Sequence, residues 1–240
     1  MTTPQIIAPG EARQPVACVK FSDGPHASIT SAKDAAQEQR WIDLVMAPLA
    51  ERLRGRRCLD LACHKGALSW PLLAYGANSV TGVEFRRETV EEGARLFSVT
   101  PNKDRMRFVC ADVFDFVSTC QPGEYDVILC CGFLYHTVRQ AEFFREMKRL
   151  APKILIVETS VAENFLWFGR KSFGKPPALF VYVDDPSLAR DTAGPDGLVY
   201  WPTPSYIEFA ARAAGFEPRR IKGANRHGFK HRMSWVCERS

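Results

Sequence analysis

The chain has 240 residues, 46% of them hydrophobic and 25% charged, and a formal net charge of +5. These values are those of an ordinary globular protein of one domain, and the mild positive charge permits an anionic partner without requiring one. No apolar run reaches the roughly 18 residues of a membrane span, and the N-terminus lacks the charged-then-apolar plan of a signal peptide. We therefore expect a soluble cytoplasmic protein with no membrane partner.

Eight cysteines raise the question of disulfide bonds or a metal site. Most of them fall inside apolar, strand-like runs, where a thiol behaves as a small hydrophobic side chain; these are Cys58, Cys110, Cys130, Cys131 and Cys237. Because no C-x-x-C pair and no Cys/His block has zinc-ligand spacing, the sequence predicts no metal site. Free thiols fit a reducing cytoplasm.

The N-terminal stretch, residues 1–27, is rich in proline and shows little periodicity. We expect an arm that is flexible or lies over a neighbouring part of the protein. Residues 28–240 are then predicted to form a single domain. Its first element is an amphipathic helix from Ser31 to Met46, which Pro48 interrupts or restarts.

Strand-like and helical runs alternate through the rest of the chain. Strands are predicted over Arg57–Leu61, Ser79–Val83, Arg107–Cys110, Tyr125–Cys131 and Lys153–Glu158, and helices over Ala67–Tyr75, Glu88–Phe97, Phe143–Leu150 and Ser205–Ala214, the last capped by Gly215. The runs Phe216–Ile221 and Met233–Cys237 read as a closing hairpin that inserts antiparallel. This alternation predicts an α/β fold with a doubly wound, mostly parallel, seven-stranded sheet.

One long interval, residues 160–204, breaks the alternation and appears irregular. It is dense in aromatic residues, among them Phe165, Trp167, Phe168, Phe173, Phe180, Tyr182, Tyr200 and Trp201. Since the interval follows a central strand, we expect it to lie over the carboxyl ends of the strands as a lid or substrate wall. The alternative is an aromatic contact between two copies of the chain in a homodimer.

The most informative stretch runs from Cys58 to Gly66, where a short apolar strand leads into a turn of small residues and then a helix. A second apolar run ends at Glu84, 24 positions after Asp60, close to the roughly 20-residue spacing at which a carboxylate grips a nucleoside ribose. A βαβ site for a nucleoside cofactor is therefore predicted. A dinucleotide is disfavoured, because it wants G-x-G-x-x-G, whereas this chain has A-x-H-x-G, which crowds a pyrophosphate.

Four motifs in this order, L-D-L-A-C-H-K-G, V-E-F, C-A-D-V-F and Y-D-V-I-L-C-C-G-F-L-Y-H, resemble those of the class I S-adenosylmethionine-dependent methyltransferases. The resemblance spans Arg57 to Cys237 and implies a Rossmann-like methyltransferase fold with S-adenosylmethionine as cofactor. It assigns cofactor binding to Asp60, Ala62, Cys63, His64, Gly66, Glu84, Phe85, Asp112, Val113 and Cys131.

Particular roles follow from the resemblance. Glu84 is expected to accept hydrogen bonds from both ribose hydroxyls, and Phe85 to pack on the adenine. Asp112 is expected to accept from the adenine amino group, with the amide of Val113 near a ring nitrogen. The alternatives are helix N-caps for the two carboxylates and ordinary core packing for Phe85.

The chain departs from the family at Ala62 and His64, where glycine is usual. The change at His64 is the larger one, because histidine loses the freedom of glycine to adopt positive φ. Either the turn stands slightly further from the cofactor, or His64 contacts the carboxylate of the cofactor.

The segment from Gly132 to His136, G-F-L-Y-H, resembles the enzymes that build carboxymethoxy-uridine at the tRNA wobble position by transfer from a carboxylated cofactor. The run K-H-R-M-S-W resembles their final strand, in which Arg232 matches an arginine that binds the extra carboxylate, and Tyr135 matches a tyrosine of the same pocket. The same G-x-L-Y-H segment also occurs in relatives that methylate small molecules.

For a hydroxyl acceptor, His136 is predicted to remove the proton and Tyr135 to orient the acceptor; the alternative for His136 is a structural histidine. Tyr200, Trp201 and Arg232 are the predicted substrate-binding residues. The C-terminal basic run suits RNA phosphates or a solvated hairpin: Arg219, Arg220, Lys222, Arg226, His227, Lys230, His231 and Arg232.

The preferred hypothesis is methyl transfer from S-adenosylmethionine to a small-molecule acceptor, at a hydroxyl oxygen. Two alternatives stay open, a methyl or carboxymethyl transferase acting on the tRNA wobble uridine and a non-catalytic cofactor-binding regulator.

Overall fold

A computed structural model describes residues 18–162, 177–183, 197–226 and 231–239. Nine strands are present in these ranges: β1 (Arg57–Leu61), β2 (Ser79–Glu84), β3 (Met106–Cys110), β4 (Val127–Cys131), β5 (Ile154–Ser160), β6 (Leu179–Val183), β7 (Leu198–Pro202), β8 (Phe216–Ile221) and β9 (Arg232–Arg239). Seven of them form one sheet in the order β3-β2-β1-β4-β5-β9-β8, and β6 and β7 form a separate two-stranded sheet.

Strands β1 to β5 are parallel, whereas β9 is antiparallel to both of its neighbours. The mostly parallel seven-stranded sheet and the closing antiparallel hairpin predicted from the sequence are therefore confirmed. Because the strand order reverses between β1 and β4, a crevice is expected at the carboxyl ends of these two strands.

The helices lie between the strands: α1 (Ala32–Trp41), α2 (Ala50–Leu53), α3 (Ser69–Ala74), α4 (Arg87–Ser98), α5 (Val113–Thr119), α6 (Gln140–Leu150) and α7 (Pro204–Ala213). Helix α1 continues into a π-helical turn, Ile42–Met46, and a 3₁₀ turn, Ala47–Leu49, that contains Pro48. The predicted helix is confirmed as far as Trp41, whereas its last turn is π-helical, and an α-helix restarts as α2 after Pro48. Among the described residues, no helix is long and apolar enough to cross a membrane.

The sheet is covered on both faces, as the near-continuous apolar strands require. In β4 the alternate residues Val127 and Leu129 pack on one face with Trp41, Leu72 and Phe97 of α1, α3 and α4. The residues between them, Ile128 and Cys130, pack on the other face with side chains of α5, α6 and α7. Helix α6 presents a periodic apolar face of Phe143, Phe144, Met147 and Leu150.

The sequence interpretation missed a helix in the segment after β3. The strand ends at Cys110, as predicted, but Val113–Thr119 then forms α5. The many β-branched and aromatic residues of V-F-D-F-V-S-T favour a strand. The helix forms because Asp112 caps its first turn and because Val113, Phe114 and Val117 bury one face.

The interval 160–204 is not irregular where the structure describes it. Strands β6 and β7 pair in antiparallel register, with Phe180 opposite Trp201 and Tyr182 opposite Val199. The aromatic residues Phe165, Trp167, Phe168 and Phe173, on which the lid hypothesis partly rests, lie outside the described residues. The lid therefore stays a prediction.

Residues 1–17 of the predicted arm also lie outside the described residues. From residue 18 onward the segment is packed against the domain, with Phe21 and His26 buried.

Candidate functional site

The turn after β1 combines three residues in the left-handed backbone region. Ala62 has φ 54°, His64 has φ 51° and Gly66 has φ 85°. The expectation that His64 loses this conformation is wrong, because the glycine-type backbone is retained at both substituted positions. A non-glycine residue pays roughly 1–2 kcal/mol for this conformation, so the surrounding contacts must hold the turn in place.

Those contacts come mainly from β2. The amide of Cys63 donates to the Val83 carbonyl at 3.0 Å, and the amide of Gly66 donates to the Cys63 carbonyl at 2.8 Å. The Cys63 side chain packs directly on Gly82, since a Cβ at that glycine would lie 2.7 Å from Sγ. Gly82 therefore makes room for the turn, a role that the sequence interpretation missed.

Glu84, the last residue of β2, is 4% exposed and faces this turn. Its Oε2 accepts from the His64 amide at 3.2 Å, and its Oε1 accepts from the Arg86 amide at 3.0 Å. The Arg86 guanidinium lies 3.4 Å from the same Oε1. Two backbone donors thus fix the orientation of the carboxylate. Oε1 accepts from both groups of Arg86, whereas Oε2 accepts one hydrogen bond and has a further lone pair with which to accept.

The residue directly after Glu84 has an exposed aromatic ring. Phe85 is 70% exposed, which excludes the alternative of ordinary core packing for this residue. Just after the neighbouring strand β3, Asp112 Oδ1 accepts from the amides of Phe114 and Asp115 at 2.8 and 3.2 Å. The N-cap alternative for Asp112 is therefore correct as far as Oδ1 is concerned, and these cap bonds do not involve Oδ2.

Asp60 lies beneath the turn in β1 and is buried. Its carboxylate accepts a hydrogen bond from the Ser69 hydroxyl at 2.6 Å, which joins β1 to the start of α3. Burial raises the pKa of Asp60 to about 7, against the lowering effect of the Ser69 bond and of Arg226. The residue supports the turn from below.

This raised pKa makes stability depend on pH. Folded Asp60 holds its proton up to about pH 7, whereas the unfolded chain releases it near the ordinary pKa of 3.8. The contribution to stability is therefore complete below pH 3.8 and is lost as the pH rises to about 7. Asp60→Asn should flatten this part of the profile. The measurement is the urea unfolding midpoint of the wild type and of Asp60→Asn at several values of pH between 3.8 and 7. Midpoints that depend on pH in the same way in both proteins would contradict the prediction.

The neighbouring strand β4 ends at Cys131, which is buried, and the chain turns at Gly132 with φ 80°. A 3₁₀ turn, Leu134–His136, follows at the same end of the sheet. Gln140 holds this turn against β7, because its Nε2 donates to the carbonyls of Leu134 and Tyr200, both at 2.7 Å. The sequence interpretation missed this connection.

Of the residues predicted to contact the methyl acceptor, Tyr135 lies next to His136 and to Arg232. The rings of Tyr135 and His136 are 3.9 Å apart between centroids, and Arg232 Nη1 donates to the Tyr135 hydroxyl at 2.9 Å. On the hairpin, the Tyr200 side chain is buried, and Trp201 stacks on His231 with centroids 4.6 Å apart. The two groups of rings belong to adjoining elements, because Gln140 bonds to both the Leu134–His136 turn and β7.

Arg232 belongs to a buried ionic network. Its Nε and Nη2 both donate to the carboxylate of Glu158, which is fully buried in β5. Arg226 approaches the same carboxylate at 3.9 Å and forms a bidentate pair with Glu38 of α1. Burial opposes the charges, but Glu38 and Glu158 raise the pKa of the Arg226 guanidinium, and Glu158 raises that of Arg232.

The sequence interpretation missed Glu158 as a functional candidate, although a signal was available. A carboxylate at the end of the run I-L-I-V-E is buried by its neighbours and therefore requires a cationic partner. Arg232 was predicted to bind a substrate, a cofactor carboxylate or RNA, or to belong to a solvated hairpin, and not to pair with a buried carboxylate.

A sequence model described as a methyltransferase domain matches residues 58–153. The chain is 30% identical over 179 residues to the ubiquinone biosynthesis O-methyltransferase of Bordetella parapertussis, with 72% of this chain and 67% of that enzyme covered. It is 28% identical over 123 residues to the tRNA U34 carboxymethyltransferase of Idiomarina loihiensis, with 50% of this chain and 37% of that enzyme covered.

The fold is also found among solved structures. The crystal structure of magnesium protoporphyrin IX methyltransferase from Synechocystis with bound S-adenosylmethionine superposes with a TM-score of 0.57 at 20% identity. The superposition covers 87% of this chain and 83% of that one. Together with the four motifs and the sheet order, these findings show that the chain belongs to the S-adenosylmethionine-dependent methyltransferases and uses S-adenosylmethionine as its cofactor.

Proposed function

We propose that the chain methylates a hydroxyl oxygen of a small molecule, with His136 as the base and Tyr135 as a residue that positions the acceptor. One observation carries the proposal: the Leu134–His136 turn follows β4 directly, at the same end of the sheet as the turn after β1. The likeness to an O-methyltransferase of ubiquinone biosynthesis supports oxygen as the acceptor atom.

The residues around Glu84 fit the cofactor. The turn Ala62–Gly66 keeps a glycine-type backbone that allows close approach of a ligand, and the Glu84 carboxylate is oriented by two amides with capacity to accept from ribose hydroxyls. The exposed ring of Phe85 offers a flat apolar surface to an adenine. In this proposal Asp112 accepts from the adenine amino group through Oδ2, while Oδ1 caps α5.

When bound, S-adenosylmethionine supplies an electrophilic methyl group on a sulfonium. The protein then has two tasks, alignment of the acceptor oxygen and removal of its proton. Alignment supplies most of the acceleration in such a displacement, and the network that fixes Tyr135 through Arg232 serves it. The imidazole of His136 takes the proton from the hydroxyl, a task for which histidine is the usual side chain.

The charge distribution favours a small acceptor over RNA. Of the basic residues near the C-terminus, Arg226 and Arg232 point inward to carboxylates, which removes them from any phosphate-binding surface. Arg219, Arg220 and Lys222 are exposed, whereas His227 and Lys230 lie outside the described residues. Glu158 already accepts from Nε and Nη2 of Arg232, which leaves this guanidinium fewer donors for the extra carboxylate of a carboxylated cofactor and supports an ordinary methyl donor.

His136→Ala is expected to lower kcat by about 10²- to 10⁴-fold, the usual contribution of a general base. The affinity for S-adenosylmethionine should stay unchanged, because His136 is assigned to the acceptor and not to the cofactor. The measurement is formation of S-adenosylhomocysteine with a panel of phenols, catechols and sugar alcohols. Val138→Ala, at an exposed position just beyond the same turn, is the control, and equal turnover by both variants would refute the role of His136.

A second candidate, modification of tRNA, is favoured by the G-x-L-Y-H segment and by the likeness to a tRNA carboxymethyltransferase. Unmodified tRNA is included in the same assay, and its turnover in place of the small molecules would favour this second candidate. Binding of the tRNA must then fall steeply with added salt. The third hypothesis, a non-catalytic regulator, predicts cofactor binding with no turnover of any acceptor.

A further inference from the structure

The segment 18–30 is fastened to the domain next to the turn after β1. The amide of Phe21 donates to the Gln39 Oε1 of α1 at 2.6 Å, and Gln39 Nε2 donates back to the Val19 carbonyl at 3.0 Å. At Gly24 the backbone passes so close to α3 that a Cβ there would lie 2.6 Å from the Trp70 ring. The path of the segment is therefore defined by its packing.

The segment delivers one side chain to the turn itself. His26 is 3% exposed, and its Nε2 lies 2.8 Å from the backbone carbonyl of Lys65. A carbonyl only accepts, so Nε2 carries the hydrogen. The ring also meets Phe97 edge-on at 5.8 Å, and Nδ1 has no hydrogen-bond partner among the described residues.

The protonation state agrees with this geometry. Burial lowers the pKa of His26, and the nearby charges of His64 and Lys65 lower it further, against the raising effects of the Lys65 carbonyl bond and of Glu92. His26 is therefore a neutral Nε2–H donor at neutral pH.

Lys65 lies between the left-handed residues His64 and Gly66, so the direction of its carbonyl depends on the backbone conformation of the turn. Three contacts converge on this residue. His26 holds the carbonyl, Glu92 pairs with the ammonium group at 2.8 Å, and α4 packs so closely that a Cβ at Gly93 would lie 3.1 Å from the carbonyl oxygen.

We propose that His26 is a positioning residue for the cofactor: by donating to the Lys65 carbonyl it holds the strained turn 62–66 in its binding shape, so that the segment 18–30 and the cofactor bind cooperatively. The inference rests on the proposal that this turn contacts S-adenosylmethionine. It goes beyond that proposal by giving the N-terminal segment control over cofactor affinity. Because such coupling is reciprocal, cofactor binding must also stabilise the segment.

The first test compares His26→Leu, which removes the donor, with His26→Gln, whose amide reaches a similar position with an N–H. The Kd for S-adenosylmethionine, measured by calorimetry, is expected to rise about 5- to 20-fold in His26→Leu, because a buried carbonyl loses its donor. His26→Gln should restore most of the affinity, and kcat at saturating cofactor should be unchanged in both. A Kd in His26→Leu equal to that of the wild type, or a His26→Gln variant as weak as His26→Leu, would overturn the proposal.

Thr30→Val is the matched control, because Thr30 donates to the His26 carbonyl at 2.8 Å within the same segment and does not bond to the turn. It should lower the thermal midpoint slightly and leave the Kd unchanged. An increase in Kd as large as that of His26→Leu would mean that general loosening of the segment, and not the His26 donor, sets the affinity.

A second measurement needs no variant. Hydrogen exchange of the wild-type amides in residues 18–30 is expected to slow when S-adenosylhomocysteine is added, and unchanged exchange would refute the coupling even if His26→Leu does not fold. Glu84→Gln separates the two levels of inference. If Glu84→Gln binds cofactor normally, the assignment of the site fails; if only the His26 variants bind normally, the positioning role alone fails.

Discussion

Glu84→Gln is expected to weaken S-adenosylmethionine binding by about 10- to 150-fold, which corresponds to roughly 1.5–3 kcal/mol for hydrogen bonds to a charged acceptor. Both oxygens of the Glu84 carboxylate accept backbone N–H groups, from His64 and from Arg86. A glutamine must place its NH₂ group against one of these donors, and it offers a weaker acceptor to the ribose hydroxyls. Calorimetric titration with S-adenosylmethionine and with S-adenosylhomocysteine measures the effect.

Glu88→Gln is the matched control for this variant. Glu88 is exposed in the first turn of α4, so its replacement by glutamine removes the same charge close to the same site. It should change the Kd by less than about twofold, since exposed charges are screened by solvent and salt. If both variants weaken binding equally, the effect is one of general charge and the assignment of Glu84 to the ribose is wrong.

The second large effect concerns stability. Glu158→Ala is expected to lower the free energy of unfolding by about 3–5 kcal/mol, because removal of one partner leaves a buried cation uncompensated. Arg232 would keep only the Tyr135 hydroxyl among its side-chain partners described above, and Arg226 would keep Glu38. Urea denaturation followed by circular dichroism measures the change.

Two further variants show whether burial causes this loss. Glu142→Gln breaks an ion pair of similar geometry, with Arg139 bonded at 2.7 Å to each carboxylate oxygen, but on the surface, where solvent screens the charges. It should hardly move the unfolding midpoint. The double variant Glu158→Leu/Arg232→Met removes both charges and should recover much of the stability lost in Glu158→Ala. A double variant no more stable than Glu158→Ala would contradict this explanation.

The sequence by itself determined the elements whose causes are local. The apolar runs of β1, β4 and β5 identify buried parallel strands. The end of α7 was predicted to within one residue, since Ala214 is the C-cap and Gly215, with φ 89°, follows it. The small-residue turn and the acid at Glu84 indicated the cofactor class because they are separated by about the spacing that nucleoside-binding βαβ units have. The local exceptions have local reasons too. Helix α5 was missed because its residues favour a strand until Asp112 caps them.

Only the tertiary structure decided which side chains meet. Arg232 and Glu158 are 74 positions apart and come together because β9 pairs antiparallel with β5. His26 reaches the Lys65 carbonyl across 39 positions, along a path that the sequence described only as a proline-rich arm. A sequence shows that a buried charge needs a partner or that a strained turn needs support. The partner is chosen by strand order and register, which are set by packing over the whole chain.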